Sequence, residues 1–308
     1  MIDATLADNG GPTLTHALLP GSNAINAGSN SLSVDPGPDH IPGSGGDDVA
    51  LTTDQRLTGF ERIVGGRVDI GAVESLTIHV TTVADVVADD GELSLREAIT
   101  QANGSAAPNE IILPSGTYRL TLTGASEDNN VSGDLDLFTD IVIRGAGAGE
   151  TIIDAGGDTG IGERVMHVYG DGTVAIADVT IRGGRDDTGG GLMVRGNNGT
   201  ATTLTNVVVT GNVVSGSNGG IGVFSPSTVN VLRSTISSNM AGVVGGGIGS
   251  GGRLTVSEST ISGNTAAFAG GVSNFNSTLV VVNSTFSGNT AAIRAGAITS
   301  YSDGAGNR

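Results

Sequence analysis

The chain has 308 residues, of which 52 are Gly and none is Cys, Trp or Lys. All 14 basic residues are therefore Arg, and 31 acidic residues give a formal net charge of −17, which argues against nucleic acid and anionic membranes as partners. The missing Lys and Cys exclude Walker phosphate loops, Schiff-base enzymes, disulfides and thiolate metal sites. Since no apolar run approaches the roughly 18 residues of a membrane span, the sequence predicts a turn-rich protein with no membrane span.

The first predicted domain, residues 1–75, carries two recognisable motifs. They are LADNGGPTLTHALLPGS at residues 6–22 and GRVDIGAVE at residues 66–74. Both resemble the choice-of-anchor Q region, which normally follows the last coils of certain bacterial β-helix proteins. The resemblance implies a closing or assembly role, with candidate assembly residues Asn9, Gly10, Gly11, Pro12, Thr13 and His16.

Residues 92–103 are predicted to form a helix. Leu95, Ile99 and Ala102 recur at i, i+4 and i+7, and acidic residues precede them, where the helix dipole favours negative charge. Such an amphipathic helix can cover the open end of a β-solenoid. The stretch GELSLREAITQAN at residues 91–103 resembles the motif of the CSLREA-type right-handed parallel β-helix proteins, with Leu93 where that family has Cys. The resemblance implies that residues 76–308 are a capped β-helix from a secreted or surface-attached bacterial protein.

Internal repeats organise the second half of the chain. The sequence STISSN at residues 234–239 recurs as STISGN at 259–264 and STFSGN at 284–289, a spacing of 25 residues. Each unit holds three short β-branched runs between Gly or Asn turns, and it can bury its apolar residues only by stacking on its neighbours. We therefore predict an all-β, right-handed parallel β-helix of roughly eight or nine coils, with three strands per coil, about 25–28 residues per coil and regular coils over residues 141–300.

The repeat register predicts four columns of like side chains. Three are apolar ladders: Ile181, Val209, Ile236, Ile261 and Phe286; Leu192, Ile221, Ile248, Val272 and Ile298; and Ile176, Leu204, Val231, Val256 and Val281. In the first ladder, Ile236, Ile261 and Phe286 are expected to be stacked and buried. The fourth column is Asn212, Asn239, Asn264 and Asn289, for which we predict a structural role, because Asn accepts left-handed turn conformations and bonds the Asn one coil away.

Paired carboxylates are the remaining candidates for chemistry. Asp134 and Asp136 form a D-x-D on a predicted strand, so both carboxylates fall on one face, where they are weak candidate Ca²⁺ ligands. The four His residues are far apart in sequence, and this spacing predicts no transition-metal site.

A second acidic pair, Asp186 and Asp187, lies beside Arg182 and Arg185. Carboxylates and Arg of this kind serve glycoside hydrolysis or β-elimination in β-helix enzymes. Adjacent residues usually point apart, so we interpret this cluster as a solvated turn and predict no catalytic residues.

The leading functional hypothesis is an extracellular structural or adhesive solenoid, with cell-surface glycans as possible partners and no cofactor unless Ca²⁺ binds. The alternative is a carbohydrate-active β-helix enzyme. Because the closing motifs precede the helix, we predict a head-to-tail filament in which residues 1–75 of one copy cover the last coil of the next. The competing explanation, one unit of a longer tandem array, stays open. No signal segment is recognisable in the first 30 residues, so the expectation for an exported protein is a signal that was removed or lies outside this chain.

Overall fold

A computed structural model describes residues 13, 15–16, 24, 27–35, 49–55, 57, 62–63, 68–71, 76–105, 109–124, 127–196 and 200–302. The chain divides into two compact units, one of Met1–Ile78 with Gly104–Glu110 and one of His79–Asn103 with Ile111–Arg308. In the first unit, Val34–Asp35 pairs antiparallel with Val49–Ala50, and a 3-10 turn spans Asn30–Leu32. Strands Leu76–His79 and Asn109–Ile112 each cross a boundary between the units.

The second unit is a parallel β-solenoid, as the sequence predicts, and its strands stack into parallel sheets. Sheet 1 includes Ile141–Arg144, Thr173–Ala177, Ala201–Thr205, Thr228–Leu232, Arg253–Ser257 and Leu279–Val282. Sheet 2 consists of Gly116–Arg119, Thr151–Asp154, Thr180–Arg182, Val208–Thr210, Thr235–Ser237, Thr260–Ser262 and Thr285–Ser287. Sheet 3 consists of Leu135–Leu137, Met166–Tyr169, Leu192–Arg195, Ile221–Val223, Ile248–Ser250, Val272–Phe275 and Ile298–Tyr301.

A fourth sheet lies between sheets 2 and 3 along each later coil. Sheet 4 consists of Arg185–Thr188, Val213–Ser217, Met240–Ala241, Thr265–Ala266 and Thr290–Ala291. The three predicted strands per coil are therefore present, but the later coils contain a further short strand. Val214, Ala241 and Ala266 form a small buried cluster of their own, so this strand needs only short apolar side chains.

The predicted registers are confirmed along all three apolar ladders. The first pairs Ile181 with Val209 and continues to Phe286, the second runs from Leu192 to Ile298, and the third from Ile176 to Val281. The number of coils was overestimated, because among the described residues sheets 2 and 3 have seven strands each, which makes about six turns. The right-handed winding stays a prediction.

The Asn column is a hydrogen-bonded ladder, and its first three members are buried. In each step the side-chain oxygen of one Asn accepts from the backbone N–H and the Nδ2 of the Asn one coil earlier, at 3.0–3.1 Å between Asn212 and Asn239. The Nδ2 of Asn239 also donates to the carbonyl of Val209 and to the side chain of Asn264. The left-handed turn conformation falls on the residue before each Asn, as in Gly211 and Ser238, and not on the Asn itself.

The substitution Asn239→Ala is expected to lower the free energy of unfolding by about 3 kcal/mol, because it removes the acceptor of the buried Asn212 backbone N–H and Nδ2 and a donor to the Val209 carbonyl. The matched control is Asn289→Ala. Asn289 is only half-buried, so water can replace its hydrogen bonds and the loss should be about 1 kcal/mol. Chemical denaturation of the two variants measures the difference, and equal losses would contradict a role that depends on burial.

The predicted helix is present, and it begins three residues later than expected, spanning Leu95–Asn103. Ser94 sets its start: the Ser94 hydroxyl accepts from the N–H of Glu97, and the Glu97 carboxylate accepts from the N–H of Ser94, which is a capping box. The predicted apolar face is confirmed, since Leu95, Ile99 and Ala102 are buried. No helix in the described ranges is long and apolar enough to cross a membrane.

The helix, which we call the cap helix, is fixed to the first strand of sheet 3. Asn103 donates from Nδ2 to the carbonyl of Asp136 and accepts from the N–H of Phe138, at 2.7 and 2.9 Å. Arg96, the one charged residue on its buried side, is fully enclosed. The cap helix therefore combines an apolar face with a buried charge.

Candidate functional site

The first two strands of sheet 3 bring a carboxylate and an imidazole together. Asp136 and His167 are register partners in Leu135–Leu137 and Met166–Tyr169, so their side chains stack on the same face of the sheet. Oδ1 of Asp136 lies 3.3 Å from Nδ1 of His167. Both residues are buried, with Asp136 fully enclosed, although the apolar residues on either side of it occupy the opposite face.

A short loop adds a third ligand-type side chain. The carboxylate of Glu127 accepts from the backbone N–H groups of Asn129, Val131 and Ser132, which tightens residues 127–132 into a compact turn. Asn130, at a φ of 58°, ties this turn to the strand through hydrogen bonds of 2.8 Å to both backbone groups of Asp136.

The turn places Asp128 beside the strand pair. Asp128, Asp136 and His167 each contribute one ligand-type atom, and these atoms all lie within 4.8 Å of one another. We call these three residues the rim cluster. Asp128 is exposed whereas the other two members are buried, so the cluster opens to solvent on one side.

Three buried polar atoms of the rim cluster have no hydrogen-bond partner among the described residues. Neither carboxylate oxygen of Asp136 accepts a hydrogen bond, and Nε2 of His167 has no partner, although all three atoms are shielded from solvent. Buried polar atoms are almost always paired, so an orphaned carboxylate marks a position that a further group can satisfy.

Burial also sets the protonation of the cluster. It raises the pKa of Asp136 to about 7, an effect to which the nearby carboxylates of Asp128 and Glu127 add. Burial lowers the pKa of His167 to about 4, and the positive charge of Arg164 lowers it further. At neutral pH the imidazole is therefore neutral, the form in which it can donate an electron pair.

The two predicted Ca²⁺ ligands have different surroundings. The Asp134 carboxylate lies 3.4 Å from Nη1 of Arg164, and burial together with the Asp136 charge raises its pKa. Asp136, in contrast, belongs to the rim cluster. Among the described residues, Asp136 alone of this pair joins a cluster with three potential ligands.

The Arg182, Arg185, Asp186 and Asp187 group does not converge on one point. Arg182 pairs with Asp154 at 2.9 Å, and Arg185 pairs with Asp158 at 2.6 Å. Asp186 contacts Arg164, whereas Asp187 accepts from the hydroxyl of Ser215 in the next coil. Arg185, Asp186 and Asp187 lie on a strand, Arg185–Thr188, where a turn was predicted, and Arg182 ends the strand Thr180–Arg182.

The last described coil is exposed on the side that faces away from the preceding coil. Val281 is 38% exposed, whereas its ladder partners Val256 and Val231 are at most 1% exposed. Phe286 stacks on Ile261 as predicted, but it is only half-buried, so the prediction of full burial was wrong for this one member. The physical reason is that one neighbouring coil covers only one side of its ring.

Two of the six predicted assembly residues, Thr13 and His16, are among the described residues. Asn9, Gly10, Gly11 and Pro12 lie outside the described residues. Thr13 and His16 are exposed, and Oγ1 of Thr13 accepts a hydrogen bond of 2.8 Å from Nε2 of Gln55.

His167 was missed as a member of the rim cluster because it is far from Asp128 and Asp136 in sequence. Asp136 and His167 are 31 positions apart, which is longer than the 25-residue repeat of the later coils. The signal was nevertheless present: extending the ladder of Leu192 backward through Met166 to Leu135 places Asp136 next to His167.

Comparison with known proteins adds no relative. No protein-family model matches the chain, and a search of curated proteins finds no match.

Proposed function

We propose that this protein is an extracellular structural β-solenoid that assembles head to tail. The observation that carries the proposal is the open last coil, in which each of the four sheets ends in a strand that has a described partner on one side only. Strand edges of this kind pair readily with another chain. The resemblance of residues 91–103 to a motif of secreted and surface-attached proteins supports the location.

The side chains of the open coil favour another β-rich surface as the occupant. Val280, Val281 and Val282 are 38–44% exposed in consecutive positions, beside the half-buried ring of Phe286. Covering them removes apolar surface from water, and at Val281 and Phe286 it continues ladders that already run through the preceding coils.

The occupant that we propose is the segment of residues 1–75 from a second copy. Its motifs resemble a region that follows the last coil in related architectures, which is the position that the open coil offers. Contact between different surfaces on identical chains is heterologous, and when it does not close into a ring it produces a filament.

Electron microscopy and light scattering test this proposal. The whole chain is expected to form fibres at high concentration, and deletion of residues 1–75 is expected to leave monomers or amorphous aggregate. Val281→Asp should also abolish fibres, because it places a charge on the contact surface. The matched control is Val243→Asp, at a 43% exposed position on an inner coil, which should leave fibres intact.

Two results would contradict the proposal. A dispersed monomer of the whole chain at high concentration would favour a unit of a longer tandem array. Fibres that persist without residues 1–75 would show that another surface covers the open coil.

A further inference from the structure

We propose that Asp128, Asp136 and His167 form a binding site for a divalent transition-metal ion such as Zn²⁺. The site lies on the outer face of sheet 3, where the first two strands of the sheet meet the turn of residues 127–132. The proposal is independent of the assembly of the chain, since all three ligands come from one coil pair.

The enclosed carboxylate of Asp136 is the main observation. It is fully buried, neither of its oxygens accepts a hydrogen bond, and its Oδ1 lies 3.3 Å from Nδ1 of His167. An uncompensated buried carboxylate is costly, and a coordinated cation compensates it more fully than one weak contact to a neutral imidazole.

The spacing of the ligand atoms suits a small ion. Two ligands held about 2.0–2.2 Å from Zn²⁺ in tetrahedral geometry lie about 3.3–3.6 Å apart. Oδ1 of Asp136 and Nδ1 of His167 have this separation. One ligand-type atom from each of Asp128, Asp136 and His167 lies within 4.8 Å of the other two. Small movements of the exposed Asp128 side chain can therefore complete a three-ligand set, with one position left for water.

The ligand types decide between metals. Carboxylates alone suit Ca²⁺ and Mg²⁺, whereas an imidazole nitrogen suits Zn²⁺ and neighbouring transition metals. The site thus differs from the Ca²⁺ site expected from Asp134 and Asp136, because Asp134 contacts Arg164 and His167 takes its place.

The charges around the rim cluster also favour a cation. Asp134, Glu127 and Glu163 are acidic neighbours, whereas Arg164 acts on both Asp136 and His167 and Arg195 acts on His167. The Arg164 guanidinium itself contacts the carboxylates of Asp134 and Asp186. These two carboxylates partly neutralise the charge of Arg164. The region around the rim cluster therefore keeps more negative than positive charge.

Metal binding by tag-free whole chain, stripped with EDTA, tests the proposal. Titration with Zn²⁺ is expected to show one ion per chain, and Co²⁺ should give the visible absorption of a low-symmetry site with nitrogen and oxygen ligands. Zn²⁺ at a hundredfold excess over Kd should raise Tm by about 5 °C. Asp128→Asn, Asp136→Asn and His167→Gln should each weaken binding at least about tenfold.

Matched controls separate the site from general attraction to an acidic surface. Asp187→Asn and His79→Gln remove an exposed carboxylate and an exposed imidazole elsewhere on the solenoid, and they should leave the Kd for Zn²⁺ unchanged. If Asp136→Asn fails to fold, as judged by circular dichroism, Asp128→Asn decides the question, because its exposed side chain makes loss of folding unexpected.

Three outcomes would overturn the proposal. They are the absence of stoichiometric Zn²⁺ binding, an unchanged Kd in both Asp128→Asn and His167→Gln, and displacement of Co²⁺ by an equal concentration of Ca²⁺. The last result would assign the position to a hard cation with oxygen ligands.

Discussion

Replacement of Arg96 by Leu is expected to lower the free energy of unfolding by about 4 kcal/mol. The Arg96 guanidinium binds both oxygens of Asp85, at 2.7 and 3.2 Å, and donates to the carbonyls of Ser132, Gly133 and Asp134 at 2.8–3.2 Å. All of its donor groups are thus engaged inside the protein, where no water can replace it.

The substitution also leaves Asp85 as a buried charge without its counter-ion. Asp85 is only 3% exposed in its side chain, and its second oxygen still accepts from the N–H groups of Thr121 and Leu122. Removing Asp85 as well therefore should not restore stability fully, because those two N–H groups would lose their acceptor.

The matched control is Arg182→Leu, which breaks a pair with Asp154 at a similar distance. The Arg182 side chain is 43% exposed, and exposed ion pairs contribute at most about 1 kcal/mol. Chemical denaturation compares the two variants, and losses of the same size would show that Arg96 does not act through its burial.

Ile261→Asp is expected to cost at least about 4 kcal/mol and to prevent folding of the later coils. Ile261 is completely buried between Ile236 and Phe286, and no cation lies in this apolar ladder to compensate a carboxylate. The carboxyl group would have to remain protonated or expel its neighbours.

Two further variants make the Ile261 result interpretable. Ser262→Asp changes the next residue, which is half-buried on the other face of the strand, and should cost less than about 1 kcal/mol. Phe286→Asp should lie between the two, since its site is open on one side. A thermal or denaturant midpoint of Ile261→Asp equal to that of the parent would show that the ladder register is wrong.

The regular coils could be predicted because their spacing is nearly constant. A repeat of 25 residues places like residues one coil apart, and stacking of like on like is the lowest-energy way to bury Ile236 and Ile261. Sheet 4 was not predicted, because two-residue strands such as Thr265–Ala266 carry no periodic apolar signal.

The candidate site could be predicted only in part. The D-x-D pattern identified Asp136 as a ligand-type residue, but it selected Asp134 as the second ligand. The contact of Asp134 with Arg164 depends on a residue 30 positions later, and the position of Asp128 depends on the turn that Glu127 and Asn130 fix. The spacing of residues along the sequence shows neither the contact of Asp134 with Arg164 nor the position of Asp128.

The sequence by itself determined the solenoid, its three apolar ladders, the Asn column and the apolar face of the cap helix, because each follows from a period that local chemistry imposes. The tertiary structure alone decided the enclosure of Arg96, the exposure of Phe286 and the meeting of Asp128, Asp136 and His167. The first coils vary in length, so residues that share a position there have no fixed separation along the chain. The burial of a side chain at such a position, and its hydrogen-bond and ion-pair partners, depend on which segments pack over it. Only the folded chain decides which segments those are.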